Sequence, residues 1–320
     1  MKAFYPNSTD KILHKGTAGN TYRLDGFEKC ITLASALRNN PTYTIKTVTI
    51  TNPDMEQTAI NLVNTVHDPK ILTAYKSGKP AKLANASGIL WQPKLYNYVL
   101  EEAYASKLAA DEVLSTGKVL VIAGGGHHAE YAHPFGFCPI NTMAITALYL
   151  ASLGKRVSIV DLDTHYSNGC FDILKDNSDV KIYNLWNQTL EKWKYFEAQG
   201  NIWHRKVTNA QDYFSKLDGL LADINGNLPN VIIYHLGLDI LETDRLSGVK
   251  GITLENIYER DRKVGDFIKA RTLPFVIFLG GAYVDHSKGD NTWAQKQRSN
   301  LAKLECKLLE CYNLATNITH

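Results

Sequence analysis

Short apolar runs rich in β-branched residues recur along the chain and end in Gly, Asp or His. The clearest are Tyr43–Thr51 (YTIKTVTIT), Lys118–Ala123 (KVLVIA), Arg156–Asp161 (RVSIVD), Asn230–His235 (NVIIYH) and Pro274–Leu279 (PFVIFL). Near-continuous apolar runs of this length predict strands buried on both faces, the pattern of a parallel sheet. Between them the spacing turns helical over Leu95–Leu114, Thr142–Leu153, Ala210–Ile224 and Leu254–Lys269, and a last helix is predicted over Thr292–Tyr312. Strands alternating with helices predict an α/β fold, a mostly parallel sheet flanked by helices. No Gly/Ser/Pro-rich linker, charge block or internal repeat divides the chain, so residues 1–320 read as one domain. In such sheets ligands sit beyond the carboxyl ends of the strands, so chemically active side chains are expected just after these runs.

The unusual polar residues stand there. KVLVIA leads into Gly124-Gly125-Gly126-His127-His128-Ala129-Glu130, and RVSIV into Asp161-Leu162-Asp163-Thr164-His165. NVIIYHLGL leads into Asp239, with Asp244 five residues later, and PFVIFL into Gly280-Gly281-Ala282-Tyr283. In extended chain alternate residues point the same way, so Asp163 and His165 face one point, with Asp161 deeper on the same side. Asp239 completes an Asp/His/Asp set. Three protein ligands with a position left for water is the arrangement of a catalytic zinc site, where the metal brings the pKa of water to about 7.

Two adjacent histidines suit general acid–base work, worth roughly 10²–10⁴ in rate. Either could take the proton from an attacking water while the other helps the leaving amine. Each ring wants a partner on its far nitrogen, and Asp161 and Asn168 are the candidates. Tyr283, on a glycine turn, could donate to a developing oxyanion. Each piece also has a plainer reading. The glycine run lacks GxGxxG spacing and a P-loop Lys, DxDxH could be a structural cluster or a magnesium site, Asp239 could cap a helix, and GGAY could be an ordinary turn. Four such pieces at four strand ends favour chemistry.

Composition narrows the partners. Hydrophobic residues make up 44% and charged residues 21%, and the net charge of +3 comes without a dense Lys/Arg stripe, so nucleic acid is not an expected partner. No run of 18 apolar residues and no signal-like N-terminal core occurs, so no membrane span or secretion is expected. Five scattered cysteines (Cys30, Cys138, Cys170, Cys306, Cys311) without a CxxC pair fit reduced thiols and a cytoplasmic location. Charge and composition leave homo-oligomerisation open.

These segments resemble the histone deacetylase and acetylpolyamine amidohydrolase superfamily, nearest its class II-like bacterial members, from about Arg23 to Tyr283. GGGHHAEYAHPFGFCPIN, ending at Asn141, resembles the histidine-pair segment, and VDLDTHYSNG the metal-binding strand end. LGLDILETDRLSG resembles the segment with the last metal ligand, and LGGAY the tyrosine turn. NLVNTVHDPKILTAYKSG is similar, more loosely, to the His-and-Tyr helix region. The resemblance implies an arginase/deacetylase-like fold and Zn²⁺ held by Asp163, His165 and Asp239. It implies His127 and His128 as the acid–base pair, Asp161 orienting the first of them, and Tyr283 stabilising the oxyanion. Gly136-Phe137 and Phe196 would line the acyl tunnel, and a structural K⁺ would sit beside Asp161. Glu130 and Asn168 resemble the class II branch.

The chain departs from the family pattern at several positions. Tyr166-Ser167 stands where the family has a second His and Gly, and Asn184-Leu185-Trp186 where it has Ser-x-His. KSGKPAKLANASG lacks the substrate-gripping acid, and KILHKGTAGNTYRLDGF lacks His-Pro-Glu. The implied activity is a zinc-dependent hydrolase that removes an acyl group, in the first place acetyl, from a small N-acylated amine or an acyl-lysine side chain. The missing acid leans the substrate towards a small molecule. The alternatives are a non-catalytic acyl-ligand-binding protein of the same fold and an arginase-like ureohydrolase with two manganese ions.

Overall fold

The computed structural model describes residues 1–12, 14–15, 21–22, 25–189, 195–244 and 246–283. The helix expected over Thr292–Tyr312 lies outside these residues. Eight strands form one sheet: β1 (Lys2–Pro6), β2 (Thr44–Val48), β3 (Lys118–Gly124), β4 (Val157–Asp161), β5 (Val180–Trp186), β6 (Ile202–Lys206), β7 (Val231–Leu236) and β8 (Phe275–Leu279). Their order is β2-β1-β3-β8-β7-β4-β5-β6, and every neighbouring pair is parallel. A separate two-residue ribbon pairs His14–Lys15 with Thr21–Tyr22.

Helices cover both faces of this sheet: α1 (Asp25–Arg38), α2 (Pro53–Val66), α3 (Lys70–Ser77), α4 (Ala81–Ala84), α5 (Lys94–Thr116), α6 (Thr142–Ser152), α7 (Asn168–Leu174), α8 (Ala210–Gly226) and α9 (Leu254–Ala270). Strand residues alternate between two cores, as a period of two requires. Val119, Val121, Ile159, Ile233, Val276 and Phe278 pack with α2, α5 and α6. Leu120, Ile122, Val160, Ile232, Tyr234 and Ile277 pack with α1, α8 and α9. Both faces are therefore apolar, which is why the strands read as continuous hydrophobic runs.

Local signals set the helix ends. Asn52, Asn141, Asn209 and Thr253 each accept a backbone N–H from the first turn of α2, α6, α8 and α9. Asp239 caps nothing, because Thr253 and Asn256 form the capping box of the next helix. The five predicted strands and the four predicted helices within the described residues all form, with ends moved by at most three residues. Strands β1, β5 and β6 were not expected. Among the described residues, no helix is long and apolar enough to cross a membrane.

Candidate active site

Strands β3, β8, β7 and β4 are adjacent in the sheet, and their carboxyl ends carry the four polar segments to one place. His127, His128, Asp161, Asp163 and Asp239 are all buried there. A buried arginine on α9 braces the floor. Arg260 Nη1 donates to Gly237 O at 2.6 Å and Leu162 O at 3.3 Å, while Asp261 balances its charge at 2.7 Å. The backbone that presents Asp163 and Asp239 is thus tied to the layer beneath it.

Ligand atoms of Asp163, His165 and Asp239 all lie within 4.8 Å of one another. His165 Nδ1 is 2.9 Å from Asp163 Oδ1 and also 2.9 Å from Asp239 Oδ2. One Nδ1 proton cannot satisfy both carboxylates. With that proton on Asp163 Oδ1, the buried Asp239 Oδ2 is left facing the ring nitrogen without a donor of its own among the described residues, a costly arrangement unless a cation faces it. Burial opposes a charge on His165, but its bonds to Asp163 and Asp239 push its pKa up to about 11. Burial and the neighbouring Asp163 raise Asp239 to about 6. Two carboxylates competing for one positive partner fit a divalent ion held by Asp163, His165 and Asp239. The remaining oxygens are fixed by backbone donors, Gly281 N to Asp163 Oδ2 at 2.6 Å and Thr164 N to Asp239 Oδ1 at 3.0 Å.

The two histidines sit side by side, ring centroids 3.9 Å apart, in different electrostatic settings. His127 Nδ1 donates to Asp161 Oδ2 at 2.8 Å. Burial disfavours its charge, yet Asp161 and Asp163 outweigh burial and hold its pKa above the usual imidazole range. His128 Nδ1 meets Asn168 Oδ1 at 2.8 Å, and Asn168 Nδ2 donates to Glu130 Oε1 at 2.8 Å. That donation fixes the amide, so His128 Nδ1 carries the proton and Nε2 the lone pair. Burial, then the charges of His127 and His165, hold His128 well below its usual range. The pair is therefore asymmetric: its surroundings favour a proton on His127 and disfavour one on His128.

The loop carrying Gly136 and Phe137 is pinned from α2 and α3. His67 Nε2 accepts Asn141 N at 2.9 Å, His67 Nδ1 donates to Glu130 O at 3.0 Å, and Tyr75 Oη donates to Pro139 O at 3.0 Å. Gly136 (φ 59°) and Phe137 (φ 62°) both adopt left-handed backbone. A Cβ on Gly136 would meet the His128 ring at 2.4 Å. Phe137 is not a residue that favours this conformation, and its ring is 44% exposed. The left-handed backbone at Phe137 thus holds an exposed aromatic residue in the loop that packs on His128.

The ring of Tyr283 lies 6.3 Å from that of His165, nearly perpendicular to it. Burial, then Asp163 and Asp239, raise its pKa well above the usual phenol value, so the hydroxyl stays a donor. Its backbone N–H donates to Asp244 Oδ2 at 2.8 Å. Phe196, the other aromatic expected at the tunnel, sits in the segment between β5 and β6. Its ring is buried 6.3 Å from Phe171, and its carbonyl and N–H are both held by the Tyr166 hydroxyl.

Residues 27–298 match the histone deacetylase domain family. The chain belongs to that family. Histone deacetylase 2 of Arabidopsis thaliana is 30% identical over 249 residues, 73% of this chain and 63% of that one. Acetylpolyamine amidohydrolase 1 of Pseudomonas aeruginosa is 26% identical over 180 residues, about half of each chain (52% and 51%). The fold is similar to that of an acetylpolyamine aminohydrolase from Burkholderia pseudomallei, with TM-score 0.72 and 16% identity over 98% of this chain and 99% of that one.

Two further side chains of this family member bear on Asp161: Asn184, the departure from Ser-x-His noted above, and His235, which the sequence did not single out. His235, the penultimate residue of β7, donates from Nδ1 to Asp161 Oδ1 at 2.9 Å. Asn184, on β5, donates from Nδ2 to Asp161 O at 3.2 Å and His165 O at 3.4 Å. A polar residue at the inward-facing end of an apolar strand was the available signal for both. Their N–H groups take up oxygens of Asp161 that a potassium ion would need, so the residues present do not fit the K⁺ that the resemblance implies.

Proposed function

We propose that the chain is a zinc-dependent amidohydrolase that removes an acyl group, in the first place acetyl, from an amine, working as one catalytic domain. The observation that carries this reading is the convergence of Asp163, His165 and Asp239 on one point, with two histidines in opposed electrostatic settings and a tyrosine beside it. Asp163, His165 and Asp239 would hold the zinc. The ion supplies Lewis-acid polarisation of the scissile carbonyl and acidifies a water at neutral pH. Membership of the histone deacetylase family, and relatives named as deacetylases and amidohydrolases, support the same reaction class.

This chain's own residues divide the remaining work. His128, neutral with its lone pair on Nε2, accepts the proton of the attacking water. His127, whose protonated form Asp161 favours, stabilises the negative charge that builds nearby. The Tyr283 hydroxyl donates to the oxyanion formed from the carbonyl. Protonated His128 then returns the proton to the departing amine, so amide and water become carboxylic acid and amine. Asn168, backed by Glu130, holds the tautomer of His128, and Phe137 lines the entrance. Acetylpolyamine amidohydrolases among the relatives and the absent loop acid favour a small acylated amine as substrate.

The test is acetate release from a panel of N-acetylated polyamines, acetyl-lysine peptides and simple acetamides, with and without chelator. Chelator-sensitive release from the polyamines is expected. No release from any member by zinc-loaded protein would overturn the deacetylase reading.

A further inference from the structure

Asp161 lies on a single rung of the sheet, flanked in register by His235 on β7 and Asn184 on β5. All three side chains are buried. The carboxylate Oδ1 of Asp161 accepts His235 Nδ1 at 2.9 Å and Asp163 N at 3.2 Å, and Oδ2 accepts His127 Nδ1 at 2.8 Å. The carbonyls of Asp161 and His165 converge on one atom, Asn184 Nδ2. The orientation of that amide is set from its other end, because Asn184 Oδ1 accepts Ser167 N at 3.2 Å.

We propose that this chain has replaced a monovalent cation with its own donors: the Asn184 amide takes the place of the ion between the carbonyls, and His235 anchors Asp161. Oxygens that would ligate a cation already face N–H groups, and bringing an ion to them would leave those donors buried without acceptors. The ring of His235 is held at both nitrogens, Nδ1 on Asp161 Oδ1 at 2.9 Å and Nε2 3.2 Å from Leu279 O, which fixes its orientation. Asn184 and His235 are positioning residues. They act on His127 through Asp161, which they hold at the angle that His127 Nδ1 requires. The inference rests on the proposed reaction only for its kinetic readout.

The test compares potassium, sodium and choline chlorides at matched ionic strength on the zinc-loaded full chain. Melting temperature is the first readout and acetate release the second. The three salts are expected to give the same melting curve. Asn184→Ser, which withdraws the amide, is expected to gain a melting-temperature rise specific to potassium. A saturable, potassium-selective rise in the unchanged chain overturns the proposal, and an Asn184→Ser chain indifferent to potassium counts against the amide as the substitute. Should that variant not fold, rubidium retained by the unchanged chain after desalting, read by elemental analysis, is the overturning result. His235→Ala is expected to lower kcat with KM and zinc content unchanged, while His235→Gln, which keeps an N–H donor, restores kcat. Equal losses in both variants refute the anchoring role. Melting requires no turnover, so inactivity on the substrate panel would remove the deacetylase reading and leave this one standing.

Discussion

Gly281 offers a direct probe of whether the tyrosine turn and the metal-type cluster are one device. A Cβ at this position would lie 2.3 Å from Asp239 Oδ2 and 2.9 Å from Asp163 Oδ2, where ordinary contact begins at 3.4 Å. Relief requires a shift of roughly 1 Å between the turn and the two carboxylates. Neither carboxylate swings away cheaply, since Thr164 N holds Asp239 Oδ1 and Gly281 N itself holds Asp163 Oδ2. A displacement of about 1 Å at a reacting centre costs on the order of 10²-fold in rate. Overpacking of this kind costs about 1–3 kcal/mol of stability, enough to lower the melting temperature by several degrees without unfolding the chain. Gly281→Ala is therefore expected to fold, to bind zinc more weakly and to release acetate about 100-fold more slowly. Equilibrium dialysis followed by elemental analysis measures the metal, and a coupled acetate assay the rate. A variant with unchanged zinc affinity and unchanged rate would refute the idea that Gly281 sits against the metal ligands.

The other expectations are quicker to state. Tyr283→Phe should cut kcat by roughly 10²–10³ while leaving zinc content unchanged, because only the oxyanion donor is removed; full turnover would take the tyrosine out of the reaction. A chelator should lower the melting temperature as well as abolish turnover, and zinc should restore both, since an ion that binds only the folded state adds about 2.7 kcal/mol at 100 times its Kd; an unchanged melting curve would argue against a folded-state ion. Burial raises Glu102 from an ordinary 4.5 to about 8 in the folded chain. Its folded-state pKa exceeds its unfolded one, so its favourable contribution is complete below 4.5 and is lost as pH climbs to about 8. Glu102→Gln should flatten the fall in melting temperature across that window, and an identical pH profile would show that the carboxyl does not titrate there.

Where a strand is buried on both faces its residues are all apolar, and that signature was legible. VLVIA and FVIFL feed two cores by alternation, so every residue is hydrophobic and the run stands out. Strand β6, IWHRK, lies at the sheet edge with Arg205 and Lys206 exposed, and its mixed pattern resembles a loop. Strand β5 carries Lys181 on one side and Asn184 buried on the other, which broke the apolar run at both places. Strand β1, KAFYP, has only three apolar residues between Lys2 and Pro6, too few to stand out as a run.

The cluster itself was legible for a different reason. A side chain that must carry charge in a dry interior has few substitutes, so Asp163, His165, Asp239 and the histidine pair declare themselves by type and by position after a strand. What surrounds them admits many solutions. Asp161 needs its oxygens satisfied, and an ion, an amide, an imidazole or a backbone N–H will each do so. Which one a given chain uses depends on what lies on the neighbouring rungs, and those rungs come from β5 and β7, 23 residues after Asp161 for Asn184 and 74 for His235. Only the sheet order brings them together. The resemblance implies a cation at this point and Asn184-Leu185-Trp186 in place of Ser-x-His puts it in doubt, but what stands there instead is a property of three strands at once.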